Sequence, residues 1–174
     1  MKRLLSTVAL IACLNFIPGK IHAQLPHLGL YGHVLYAMPI DNSSQELYNN
    51  GGGVEAGILI GKKTTMFNGS IGYSRFFADD KNEFGDQTYT PIKAGIRQYI
   101  PLTLHFLFVQ GNAGIGFVNS EHGGNDGSRF AFDFGAGVKF SAFEAALIWE
   151  NFHEIHPEGF ASWLTIRAGI NLGL

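Results

Sequence analysis

The chain is poor in the features on which many soluble folds and most enzymes depend. It has one cysteine, Cys13, near the N-terminus, so no disulfide can form within the chain. Charged residues make up only 15% and the net charge is −2, which leaves no basic face for nucleic acid. Beyond the N-terminal region no apolar run approaches the roughly 18 residues of a transmembrane helix. Helical periodicity is absent after Gln24. Gly51-Gly52-Gly53 leads into an alternating run and not a helix, so it is no phosphate loop. Asn119-Ser120-Glu121 has Glu where a glycosylation acceptor needs Ser or Thr.

The N-terminus is the exception to this pattern. Met1-Lys2-Arg3 is followed by an apolar stretch from Leu4 to Ile17, and Ile21-His22-Ala23 is a small-residue cleavage site before Gln24. A charged start and an apolar stretch too short to span a bilayer predict a secretory signal over residues 1–23. Leu10-Ile11-Ala12-Cys13 allows a rival reading as a lipoprotein box, with Cys13 as lipidated N-terminus. On the first reading the mature chain, residues 24–174, is one domain without cysteine. Loss of Lys2, Arg3 and Lys20 leaves nine basic against fourteen acidic residues, a charge of −5.

What is abundant is glycine and aromatic residues, 23 of each, a balance that suits strands and tight packing more than helices. Eight strand-like runs fill the chain from Leu28 to Leu174. The gaps after the odd-numbered runs are long and polar: Asp41 to Gly52, Ala78 to Gln87, Asn119 to Ser128, and His153 to Glu158. Those after runs two, four and six are a few residues: Lys62 to Thr64, Pro101 to Thr103, and Ser141 to Ala142. Most runs hold about 10 residues, enough for a tilted strand to cross a bilayer. An even strand number, with short turns at one end and long loops at the other, is the layout of an outer-membrane β-barrel. The predicted fold is therefore all-β: an eight-stranded antiparallel up-and-down transmembrane barrel, with short periplasmic turns and longer outer loops.

Period two sorts the side chains. Run two sets Val54, Ala56, Ile58 and Ile60 against Gly53, Glu55, Gly57, Leu59 and Gly61. Run six sets Phe130, Phe132, Phe134, Ala136, Val138 and Phe140 against Ala131, Asp133, Gly135, Gly137 and Lys139. Runs four, seven and eight divide likewise, whereas runs one (Leu28 to Met38), three (Met66 to Phe77) and five (Leu104 to Val118) are less regular. Only the set of glycines and charges fits inside a narrow tube. That set carries Glu55, Asp133, Glu144 and Glu150 with Lys93, Arg97, Lys139 and Arg167, four acids against four bases. Buried charges are tolerable when paired and hydrogen-bonded, so these eight are expected to form an ion-pair network in the lumen. Aromatics bunch near the run ends: Tyr99, Phe106, Phe140 and Phe143 by the turns, and Phe130, Trp149, Phe152, Phe160 and Trp163 by the loops. They are expected to form two interfacial girdles.

Other candidates are weaker. His153, Glu154, His156 and Glu158 are competent metal ligands, but a His-x-x-His in a loop fixes no geometry, so a polar surface loop is expected. Asp79, Asp80, Glu83 and Asp86 lack the spacing of a calcium loop and read as a solvated acidic outer surface that divalent ions could bridge to lipopolysaccharide. A lipid A acyl hydrolase would need a nucleophile beside a base. Ser162 would have to reach His153, so no enzyme is expected. His33 and His105 read as packing or interfacial residues.

Several stretches resemble strands of the porin-like outer-membrane β-barrel domains of Gram-negative bacteria. These are Pro91-Ile92-Lys93-Ala94-Gly95-Ile96-Arg97-Gln98-Tyr99-Ile100, Gly111-Asn112-Ala113-Gly114-Ile115-Gly116-Phe117, Phe132-Asp133-Phe134-Gly135-Ala136-Gly137-Val138-Lys139-Phe140 and Leu164-Thr165-Ile166-Arg167-Ala168-Gly169-Ile170-Asn171-Leu172. The resemblance covers Tyr89 to the C-terminus and implies a scaffold and no activity. It implies a monomer without cofactor in the outer membrane. The partners would be membrane lipid, lipopolysaccharide and the barrel assembly machinery, with no nucleic acid. Family members usually end in an aromatic residue, whereas this chain ends Leu172-Gly173-Leu174. The expected role is structural or a surface interaction, with a narrow solute channel as the alternative.

Overall fold

Eight antiparallel strands close into an up-and-down barrel in this structure, a computed structural model that describes residues 26–62, 64–79, 83, 85–101, 106–123, 126–154 and 159–173. The strands are β1 (His27–Pro39), β2 (Tyr48–Gly61), β3 (Thr65–Ala78), β4 (Gln87–Pro101), β5 (Phe106–Ser120), β6 (Gly127–Phe140), β7 (Phe143–Glu154) and β8 (Gly159–Gly173). Each pairs with its sequence neighbours, and β1 pairs with β8 from Gly29↔Gly173 to Pro39↔Trp163. Closure leaves no open sheet edge, which is the condition for a sheet to sit in lipid. The expected signal, Met1–Ala23 with Cys13, and residues Asp80, His105, His156 and Glu158 lie outside the described residues.

The first three long gaps stand against short ones as the sequence predicts, but the fourth does not: β7 runs on to Glu154, which leaves four residues before β8, as many as between β4 and β5. Between β6 and β7 only Ser141 and Ala142 intervene, and Ser141 takes φ 56. A two-residue hairpin turn that follows the strand twist requires such left-handed backbone. The first long gap differs from expectation. Asn42–Leu47 forms a short helix, α1, and β2 begins at Tyr48 instead of after Gly52. Asp41 caps the helix, its Oδ2 accepting from the Ser44 amide at 2.9 Å. Six residues are too few for periodicity to register, and the cap was the available signal. Asn50 and Gly51 are drawn into β2 by pairing with β3, and Asn49 is the extra residue at the register shift between Tyr48 and Asn50.

The outside of the barrel is apolar on every strand. Val34, Ile58, Phe67, Ile92, Ile115, Phe134, Leu147 and Ile166 all lie about half exposed, one from each strand in turn. The inside holds two apolar layers. One lies toward the long loops and contains Tyr48, Phe76, Tyr89, Phe152 and Trp163; the other lies toward the short turns and contains Tyr31, Leu59, Met66, Tyr99 and Phe108. The girdle expectation is corrected here. Tyr99, Phe152 and Trp163 point inward and are buried, because the register puts them on the same face as the lumen charges. Phe106 also has inward parity and leans over the turn-end mouth, edge-on to Tyr99. Phe130, Phe140, Phe143, Trp149 and Phe160 are exposed on the outer face.

Candidate functional site: the barrel interior

Glycines make room for large side chains within the tube. A Cβ on Gly57 would run into the Tyr31 ring, and one on Gly116 into the Tyr89 ring. Both rings therefore lie flat across the inner wall, where any other residue would block them.

Between the two apolar layers the lumen is ionic. Lys93 Nζ stands 2.5 Å from both Asp133 Oδ2 and Glu150 Oε1. Arg167 donates to the two Glu55 oxygens at 2.8 and 3.0 Å and to Glu150 at 3.3 Å. Arg97 donates to Glu144 at 2.9 and 3.0 Å and to Gln110 Oε1 at 2.8 and 3.1 Å. Its guanidinium also lies 4.3 Å over the Phe108 ring, a cation–π contact. Glu144 further accepts from Tyr99 at 3.1 Å and from Asn171 at 2.6 Å. Such forked, many-donor arrangements are what offsets the desolvation of charge.

Amides and hydroxyls extend the network around the wall. Tyr31 donates to Asn68 at 2.8 Å, Asn68 to Asn112 at 2.9 Å, and Asn112 to Asp133 at 2.7 Å. Thr165 donates to Glu150 at 3.4 Å. With these links every one of the eight strands contributes a side chain.

Two positions depart from expectation. Lys139 makes no ion pair among the described residues and sits half-buried at the turn end. Its cross-strand neighbour is Glu144, but that carboxylate is already occupied by Arg97, Tyr99, Asn171 and His33. His33, expected to be a packing residue, lies buried between two acids, with Nε2 3.2 Å from Glu144 and Nδ1 3.7 Å from Glu55. Asn171 shares the inward face that period two gives Arg167, whereas Asn68, Gln110 and Asn112 are not singled out by the sequence. The signal was present in the i, i+2 spacing of Asn68 with Ser70 and of Gln110 with Asn112. Glycines and aromatics on both faces of those runs obscured it.

The rim residues weighed for chemistry are engaged elsewhere. Ser162 donates its hydroxyl to Asn151 at 2.7 Å, and its amide to Asp41 at 2.7 Å. The His153 ring packs edge-on against Phe160 at 5.5 Å. Asp86 accepts from Arg75 at 2.9 Å and from the Ala78 amide at 2.9 Å, which ties the second loop to β3. Among the described residues no group of three His, Cys, Asp or Glu side chains is placed to hold a metal.

The shape has counterparts among solved proteins. Neisserial surface protein A matches with TM-score 0.61 at 8% identity, over 84% of this chain and 96% of that one. The crystal structure of Ail, the attachment invasion locus protein of Yersinia pestis, matches with TM-score 0.51 at 14% identity, over 86% of this chain and all of that one. Ail in a phospholipid bilayer nanodisc gives TM-score 0.51 at 17% identity, with the same coverage. No protein-family model and no curated protein matches the sequence. The likeness is one of fold.

Proposed function

We propose that this chain, which has the fold of the small eight-stranded outer-membrane β-barrels, is an integral protein of the bacterial outer membrane with a structural or surface-interaction role and a lumen closed to free ion flow. The observation that carries this reading is the inversion of the usual protein pattern. Ile58, Phe134, Leu147 and Ile166 face outward, while Glu55, Arg97, Asp133 and Arg167 are buried. An apolar surface around the whole circumference belongs in lipid, far beyond the patch a soluble monomer exposes. In that setting residues 1–23 serve as the export signal, the short turns lie in the periplasm and the long loops face outward. One of the fold's counterparts is a surface protein and another an attachment protein, which favours the loops as the working surface. A hydrolase finds less support, because Ser162 donates to Asn151 and not to His153.

The membrane-bound barrel is tested by gel mobility of the membrane fraction before and after boiling. A folded form that migrates apart from the heated one is expected, and a soluble protein without a shift overturns the reading. Closure of the lumen is tested in planar bilayers, where stable conductance steps would overturn it in favour of a narrow channel.

A further inference from the structure

The turn end of the barrel holds a cavity of about 180 Å³ beneath the ionic layer. Leu59, Met66, Tyr99 and Phe106 give it apolar walls, and Lys139 and Asn171 its polar edge. Lys139 has inward parity, opposite Phe106 on β5 and Glu144 on β7. The acid that register offers it is taken by four other groups. An ammonium is thus held half-dry, without an ion pair among the described residues and facing only a Glu144 already bound by other donors, over an apolar hollow. Charge in such a place costs free energy until an anion joins it. The hollow is also of the right size, since an apolar cavity of about 150 Å³ holds one benzene ring.

We propose that this cavity binds a small organic monoanion, a carboxylate bearing one aromatic ring or a short alkyl chain. The carboxylate would sit on Lys139 Nζ, and the apolar body would lie between Leu59, Met66 and Phe106. The site goes beyond the role assigned to the loops, because it opens at the opposite end of the barrel.

The methionines offer a direct readout. Met66 lines the cavity, while Met38 lies at the loop end of β1 and serves as internal control. The whole barrel is placed in lipid nanodiscs with methyl-¹³C methionine and titrated with benzoate. A saturable shift of the Met66 methyl is expected, with Met38 unmoved. Benzamide, the neutral counterpart, should bind at least about tenfold more weakly, as should benzoate to Lys139→Gln, through loss of the charge-assisted bond. Lys139→Arg should retain binding. An unmoved Met66, equal binding of benzamide, unchanged binding by Lys139→Gln, or parallel movement of Met38 would each overturn the proposal. The heat-dependent gel shift of the same sample reports separately whether the barrel itself stands.

Discussion

The ionic middle of the lumen and the aromatic layer toward the long loops fill the same tube by opposite means. In the middle, Asp133, Glu150 and Glu144 each meet two or more cationic or amide groups, and Glu55 takes both of its hydrogen bonds from Arg167, so the bonds fix distance and angle. Toward the loops, Phe76 stacks on Trp163 at 3.9 Å between ring centres and Tyr89 on Phe152 at 4.6 Å. Stacking is tolerant of small shifts; a forked salt bridge is not. The polar satisfaction differs as well. Among the described residues Gln87, the Tyr89 hydroxyl and the Trp163 indole N–H are buried without a hydrogen-bond partner, whereas in the middle layer the unpartnered atoms, His33 Nδ1, Asp133 Oδ2 and Arg167 Nε, belong to groups that stand beside an opposite charge. Buried groups of that kind are commonly met by ordered water. The middle layer is thus a lock of charge pairs that holds all the strands at once, and the loop-end layer is a stack of rings.

The sharpest way to break this contrast is to remove one cation from the lock. Lys93→Met leaves Asp133 and Glu150 short of their shared partner and should cost about 4 kcal/mol, read from guanidinium unfolding in lipid vesicles. A loss below about 1 kcal/mol would mean that water already enters the layer. Trp163→Ala removes the largest ring of the loop-end stack and should cost about 3 kcal/mol. Its unfolding midpoint should respond to pH no differently from the parent, since no charge is touched. Asn112→Leu interrupts the amide relay between Asn68 and Asp133 and should cost about 2 kcal/mol. Simultaneous replacement of Asn68 by Leu should recover part of that loss, and failure to do so would show that the relay is not coupled. The smallest effect belongs to the exposed pair outside both layers. Arg75→Ala breaks the contact with Asp86 and should cost about 0.5 kcal/mol, with that difference vanishing in high salt.

The two layers were also unequally legible in the sequence. Runs two, four, six, seven and eight alternate bulky apolar residues with glycines and charges, so the inward side of Glu55, Lys93, Arg97, Asp133, Glu144, Glu150 and Arg167 followed from period two alone. The aromatic stack was misplaced because an aromatic near a strand end suits a girdle or a plug equally well by composition. Only parity separates them, as it does for Trp163, which shares a face with Thr165 and Arg167. Lys139 and His33 exchanged roles for a reason that no period reveals. The Glu144 carboxylate reaches across the tube to Arg97 and Tyr99 on β4 and His33 on β1, and to Asn171 on adjacent β8, instead of to Lys139 on β6. Across-the-tube proximity depends on closure, and closure joins residues more than a hundred positions apart.

That separation has a consequence for how the molecule is made. Taken in chain order as hairpins, β1–β2 brings Glu55 with His33, β3–β4 brings Lys93 and Arg97, β5–β6 brings Asp133, and β7–β8 brings two glutamates with one arginine. Of the eight charges expected in the lumen, only those of β5–β6 balance, where Lys139 stands on the same strand face as Asp133; those of the other three pieces do not, and Glu55 waits 112 residues for Arg167. A half-built sheet in a bilayer would expose unpaired ions and an open edge to hydrocarbon, which disfavours it relative to the closed cylinder.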